Sequence, residues 1–118
     1  MNIEEFREHC LQKSGVTEET PFGNDVLVYK VLGKVFALAP LDDFKQINVK
    51  CDPEKALELR EQYEFVKPGY HMSKKHWNTI LIDGRATTKQ LASWIDDSYQ
   101  LVVNKMPKKN KSVLKNLG

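Results

Sequence analysis

The chain predicts a two-layer α+β fold, an antiparallel sheet packed on helices in the order α-β-β-β-α-β-α. Three observations carry that expectation. Short segments alternate apolar and polar residues, three longer segments repeat apolar residues at helical spacing, and turn-forming residues separate them. A length of 118 residues, 41% of them hydrophobic, suits a single domain over residues 1–118 whose core needs no metal or disulfide support.

Asn2 followed by Glu5 reads as a helix cap and its partner, and Ile3, Phe6 and Cys10 recur at helical spacing. A first helix is expected from about Ile3 to Lys13, ended by Ser14-Gly15. Residues 16–25 carry Thr, Pro, Gly, Asn and Asp and read as a loop. Val26–Val31 and Lys34–Ala39, rich in β-branched and aromatic residues, read as a hairpin across Leu32-Gly33. Gln46–Cys51 alternates as a third strand, with Ile47, Val49 and Cys51 on one face and Asn48 and Lys50 on the other. One buried and one wet face is the usual state of an antiparallel sheet backed by helices.

Asp52-Pro53-Glu54 is the strongest helix start in the chain: a cap, a proline suited to the first helical position, and an acid at the positive end of the dipole. This helix is expected to reach about Glu64, with Ala56, Leu59 and Tyr63 facing in. Asn78–Asp83 reads as a strand with Ile80 and Ile82 inward, closed by Asp83-Gly84. Thr87 and Gln90 make a capping box for a third helix. Its stripe of Leu91, Trp94, Ile95, Ser98, Leu101 and Val102 runs on until Pro107 stops it. The basic tail, about 108–118, is expected to fray, with at most a brief helical turn around Val113, Leu114 and Leu117.

Net charge is only +2, so the chain is no polycation, but its charge is uneven. Glu4, Glu5, Glu8, Glu18 and Glu19 outnumber Arg7 and Lys13 near the start, whereas residues 105–118 hold five lysines and no acid. That basic end favours an anionic partner. Cys10 and Cys51 are far apart and in no zinc-like or redox spacing, so they read as reduced, buried thiols. The acidic start lacks an apolar leader, and the longest apolar run, Val35–Ala39, is far too short for a bilayer. A cytoplasmic, monomeric protein without membrane association is expected.

Enzymatic readings find little support. His71 and His76 are five residues apart, not at the spacing of a helical zinc pair, and have no Cys or Glu at ligand distance. No phosphate-cradling glycine loop is present. Asp42-Asp43 and Asp96-Asp97 read as a turn and a solvated helix face, and His9 as an exposed helix residue. No catalytic residue, metal or cofactor is expected.

The stretch from Pro68 to Asn78, PGYHMSKKHWN, stands apart. It gathers two lysines, two histidines, two aromatics and a methionine directly before a strand. Cationic heads beside flat rings suit a phosphate-bearing partner. Trp77 also reads as a cap on the core and Met72 as a gap filler, whereas Lys74 and Lys75 must stay exposed.

These residues resemble the MmcQ/YjbR family. The resemblance rests on Val28-Tyr29-Lys30-Val31 with Gly33-Lys34-Val35-Phe36-Ala37-Leu38, on Asn48-Val49-Lys50-Cys51-Asp52-Pro53-Glu54, and on the Pro68–Asn78 stretch. Leu91, Trp94-Ile95, Ser98-Tyr99 and Leu101-Val102 continue it, so that it spans about residues 22–109. It implies a small α+β domain similar to the type III secretion chaperone fold and a DNA-binding role with two wing-like projections. It carries no catalytic residues. The expected contacts are therefore Lys74, Lys75 and Arg85 to phosphates, His71 and His76 assisting, and Tyr70 or Trp77 packing on sugar or base. Few cations predict modest, salt-sensitive affinity, and no helix with base-reading side chains predicts sequence specificity. The alternatives are a protein-interaction or chaperone-like module using the same loop, with Tyr70, Met72 and Trp77 as an apolar patch, and a small-ligand pocket near His71.

Overall fold

Six strands form one antiparallel sheet in the order β1-β2-β3-β4-β6-β5, and every described helix contributes at least one apolar side chain to a core cluster shared with the sheet. The computed structural model describes residues 1–21, 25–69 and 72–117. Its elements are α1 (Ile3–Leu11), β1 (Val16–Glu19), β2 (Val26–Val31), β3 (Lys34–Pro40), β4 (Gln46–Lys50), α2 (Pro53–Gln62), β5 (Val66–Pro68), β6 (Trp77–Leu81), α3 (Thr88–Asn104) and α4 (Lys108–Leu117).

The caps legible in the sequence form as expected. Asn2 with Glu5 and Thr87 with Gln90 each make a reciprocal capping box, and Asp52 caps α2 with Pro53 in its first turn. The β2–β3 hairpin turns through Leu32 and Gly33, both left-handed at φ 46° and 84°. That pair of positive angles is what a two-residue turn needs to match strand twist. Leu27, Tyr29 and Val31 of β2, Ile47 and Val49 of β4 and Ile80 of β6 meet Phe6, Leu59, Leu91 and Ile95 from the helices.

Three elements exceed the sequence expectation. The expected 16–25 loop contains β1, which pairs with β2 from Val16↔Val31 to Glu19↔Val28. Glu18 explains it. The Tyr29 hydroxyl donates to Glu18 Oε2 at 2.6 Å, and Arg7 donates through Nε and a terminal nitrogen at 2.9 and 3.1 Å. A second short strand, β5, pairs with β6 from Val66↔Ile80 to Pro68↔Asn78. The tail is no frayed end: Pro107 separates two helices, and α4 seats the buried Leu114 in the core. Among the described residues, no helix is long and apolar enough to cross a membrane.

α3 lies across β3 and β4, and one side chain reaches into the ladder between them. Pairing runs Tyr29↔Ala37 and then Lys30↔Val35, which leaves Phe36 without a partner on β2. The fully buried Ser98 hydroxyl accepts from the Lys50 N–H at 2.8 Å and donates to the Phe36 carbonyl at 2.6 Å. It thus satisfies one backbone group on each strand, as buried groups require. Ser98→Ala strands both. It is expected to lower stability in urea denaturation by about 2–4 kcal/mol, each orphaned group costing about 1–3. A loss under about 0.5 kcal/mol, the size of a neutral surface change, would refute this bridging role.

The Arg7 hydrogen bonds hold the Glu18 carboxyl below its ordinary range, against burial that would raise it, and the Tyr29 hydroxyl adds to the lowering. A depressed carboxyl contributes stability above its unfolded pKa of about 4.3. That contribution is lost as pH falls through the lower folded value. Glu18→Gln is therefore expected to be less stable than wild type at neutral pH, with the two converging in denaturation curves below about pH 4. A gap that persists unchanged into acid would refute the Glu18 carboxylate as its source.

Candidate nucleic-acid interface

Pro68 closes β5, and Gly69 lets the chain pass tightly over β6. Its N–H donates to the Trp77 carbonyl at 2.9 Å, and a Cβ at Gly69 would stand 2.7 Å from the Trp77 Cβ. Downstream, the Ser73 carbonyl accepts from the N–H groups of His76 and Trp77 at 3.2 and 3.0 Å. This is one helical turn, and it carries Lys74, Lys75 and His76.

The turn is fastened from outside at three points. The Cys51 N–H, at the end of β4, donates to the His76 carbonyl at 2.8 Å. Arg60 on α2 donates to the carbonyls of Lys74 and Trp77, the latter at 3.1 Å. Its Nε donates to the Asn78 Oδ1 at 2.7 Å, and the Asn78 amide donates onward to the Ala56 carbonyl at 3.4 Å. Arg60 is the residue that sequence reasoning missed. Its signal was position: it lies one helical turn beyond the buried Ala56, on the same face of α2.

Lys74 and Lys75 are exposed and make no ion pair among the described residues. With Pro53, Leu57 and Arg60 they line a shallow hollow of about 330 Å³. Trp77 and Met72 line a different one. They border a groove of about 750 Å³ with Val26, Val28, Leu38 and Asn48. The strand pairings Val28↔Leu38 and Leu38↔Asn48 put those three side chains on one face of the sheet, whereas Leu27, Ile47 and Val49 of the alternate set lie in the helix-covered core. The turn therefore parts its charges from its ring. His76 is half-buried, and Tyr70 and His71 lie outside the described residues.

Arg85 does not join this cluster. Lys50 pairs with Trp77 and Gln46 with Leu81, so the Lys74–Lys75 turn and Arg85 stand at opposite ends of β6, roughly 14 Å of strand apart. Arg85 donates to Asp83 at 2.6 Å, lies 3.6 Å from Glu64, and stacks over the Phe65 ring at 5.5 Å. Hydrogen bonding between the two lowers the Asp83 carboxyl pKa and raises that of the Arg85 guanidinium. Lys45, at the same end, is paired with Asp43 at 3.7 Å.

Both cysteines and the His9–Asp96–Lys13 cluster are held in structural roles. Burial pushes the Cys10 thiol up to about 12 and the Cys51 thiol up to about 11, the reverse of what a nucleophile needs. His9, expected on an exposed face, is half-buried with Nε2 at 2.7 Å from Asp96 Oδ1, which Lys13 also contacts. Burial would raise the Asp96 carboxyl, and the Lys13 and His9 hydrogen bonds outweigh it and hold it low. Among the described residues no three His, Cys, Asp or Glu side chains converge as metal ligands.

Known proteins resemble the chain in sequence and in fold. The chain is 30% identical to the uncharacterised Escherichia coli K12 protein YjbR over 115 residues, 97% of this chain and 98% of that one. It is 40% identical to the uncharacterised protein YbdF of Escherichia coli O157:H7 over 91 residues, 76% of this chain and 75% of its relative. The crystal structure of Deinococcus radiodurans protein DR2400 superposes with a TM-score of 0.89 at 33% identity, covering 97% of this chain and 88% of that one. A Pseudomonas syringae crystal structure gives 0.71 at 29% identity, covering 86% and 98%. None of these names states an activity. The YjbR family model matches residues 11–101, and the chain belongs to the YjbR family.

Proposed function

We propose that the chain is a non-catalytic DNA-binding module that docks phosphates on the Lys74–Lys75 turn. One observation carries this reading: the two lysines stand exposed and, among the described residues, unpaired on a turn fixed by Arg60, while Arg85 and Lys45 at the opposite sheet end are paired with carboxylates. A fixed turn presents its charges without first losing conformational freedom, which favours binding. Two lysines make few phosphate contacts, so affinity is modest and steeply salt-dependent. Arg85 has no part in the contact.

A second reading, a protein-interaction module, draws on the groove beside Trp77 and Met72, which is largely apolar and larger than the hollow under the lysines. A partner seated there would survive high salt, whereas nucleic acid on the turn would be released.

Lys74→Ala/Lys75→Ala is expected to weaken DNA binding and to flatten the slope of log affinity against log salt by about 2, one per lost phosphate contact. Titration of a labelled duplex at several salt concentrations measures it; an unchanged slope and affinity would remove the turn from the interface. Arg60→Met leaves both lysines in place but unfastens their backbone. It is expected to cost about 2 kcal/mol in urea denaturation, as charged hydrogen bonds do, and to weaken DNA binding while the salt slope stays near wild type. Full-strength binding in that variant would show that the clamp is irrelevant to docking.

A further inference from the structure

We propose that the hollow lined by Lys34, Lys50 and Lys105 is a seat for a phosphate group. The inference goes beyond the DNA-binding reading, because it needs neither Lys74 nor Lys75. The hollow measures about 460 Å³, and its remaining lining is Val35, Val102, Met106, Pro107 and Asn110. Among the described residues, no acidic side chain borders it. None of the three lysines makes an ion pair among the described residues.

Each lysine springs from a fixed point of backbone in a different segment. Lys34 opens β3 directly after the left-handed Leu32-Gly33 pair. Lys50 ends β4, its N–H held by the Ser98 hydroxyl at 2.8 Å. Lys105 follows α3, its N–H donating to the Val102 carbonyl at 3.3 Å. A cation after α3 has an ordinary explanation, since it complements the negative end of the helix dipole. That explanation does not extend to Lys34 and Lys50, which belong to strands, and α4 begins nearby at Lys108 with its positive end. Three lysines lining one concavity give it a positive field, which favours a bound anion.

The rest of the lining narrows the ligand class. Val35, Val102, Met106 and Pro107 supply an apolar wall, and Asn110 supplies an amide able to donate or accept. The volume exceeds what a bare phosphate fills and falls within the range of small-molecule sites, about 300–1,000 Å³. The ligand is thus a phosphate ester with a compact organic part. It is either a free phosphorylated metabolite or one nucleotide unit of a strand.

Amide NMR titration with inorganic phosphate, at ionic strength held constant with chloride, tests the seat. Saturable shifts at Val35, Met106 and Asn110 are expected in wild type and in Lys74→Ala/Lys75→Ala. A loss of at least tenfold in phosphate affinity is expected in Lys34→Gln/Lys105→Gln. Shifts that fail to saturate, that chloride reproduces, or that persist unchanged in Lys34→Gln/Lys105→Gln would overturn the proposal. Adding a single-stranded oligonucleotide to the phosphate-loaded protein separates the sources. Replacement of the shifts by a new bound set at Val35, Met106 and Asn110 supports the seat with a strand as its ligand, their persistence supports it with a small phosphorylated compound, and their return to the free positions counts against it. Failure here leaves DNA binding by Lys74 and Lys75 untouched, because that is read from a different variant.

Discussion

Asn78 is the buried polar group around which α2, β6 and the basic turn are arranged. It is 1% exposed, in the half of the sheet that faces the helices, and its amide must find partners there. Arg60 and the Ala56 carbonyl are those partners. The consequence for α2 is large, because only Ala56 and Leu59 of that helix are buried while Leu57 stays 57% exposed. A helix with so small an apolar seat is oriented as much by this polar tie as by burial. Once Arg60 has answered Asn78, its other donors lie along the turn and hold the Lys74 and Trp77 carbonyls. Core satisfaction and surface presentation are thus met by one guanidinium.

Trp77 links the two faces of the turn. Its carbonyl is shared by Gly69 and Arg60, while its side chain borders the groove with Met72.

Much of the fold was legible because it is local. The capping boxes at Asn2 and Thr87, the proline start of α2, the Leu32-Gly33 hairpin and the α3 stripe each follow from residues within a few positions of one another. The elements that escaped depend on distant partners. β1 makes sense only with Glu18 brought to Tyr29 and Arg7, β5 is three residues long, and α4 needs the core to receive Leu114. The candidate site divides the same way. Exposure of Lys74 and Lys75 follows from the cost of burying an ammonium group, which any sequence reveals. Arg85 was grouped with them because it is near in sequence, yet the strand between carries it to the far end of the sheet and into contact with Asp83 and Glu64. The Arg60 clamp carries no sequence signature beyond its helical face.

The two outermost strands have a bearing on how the molecule tolerates crowding. An open-edged sheet with a largely apolar groove on its face is a template for edge-to-edge polymerisation. Here β5 is short and finishes in a proline, which has no N–H to offer a newcomer, and β1 bears Glu18 and Glu19. A second copy approaching the β5 rim meets a missing donor, and one approaching β1 meets acids already engaged, Glu18 by Arg7 and Glu19 by Lys30. The short, proline-ended β5 rim thereby limits edge-to-edge growth of the sheet.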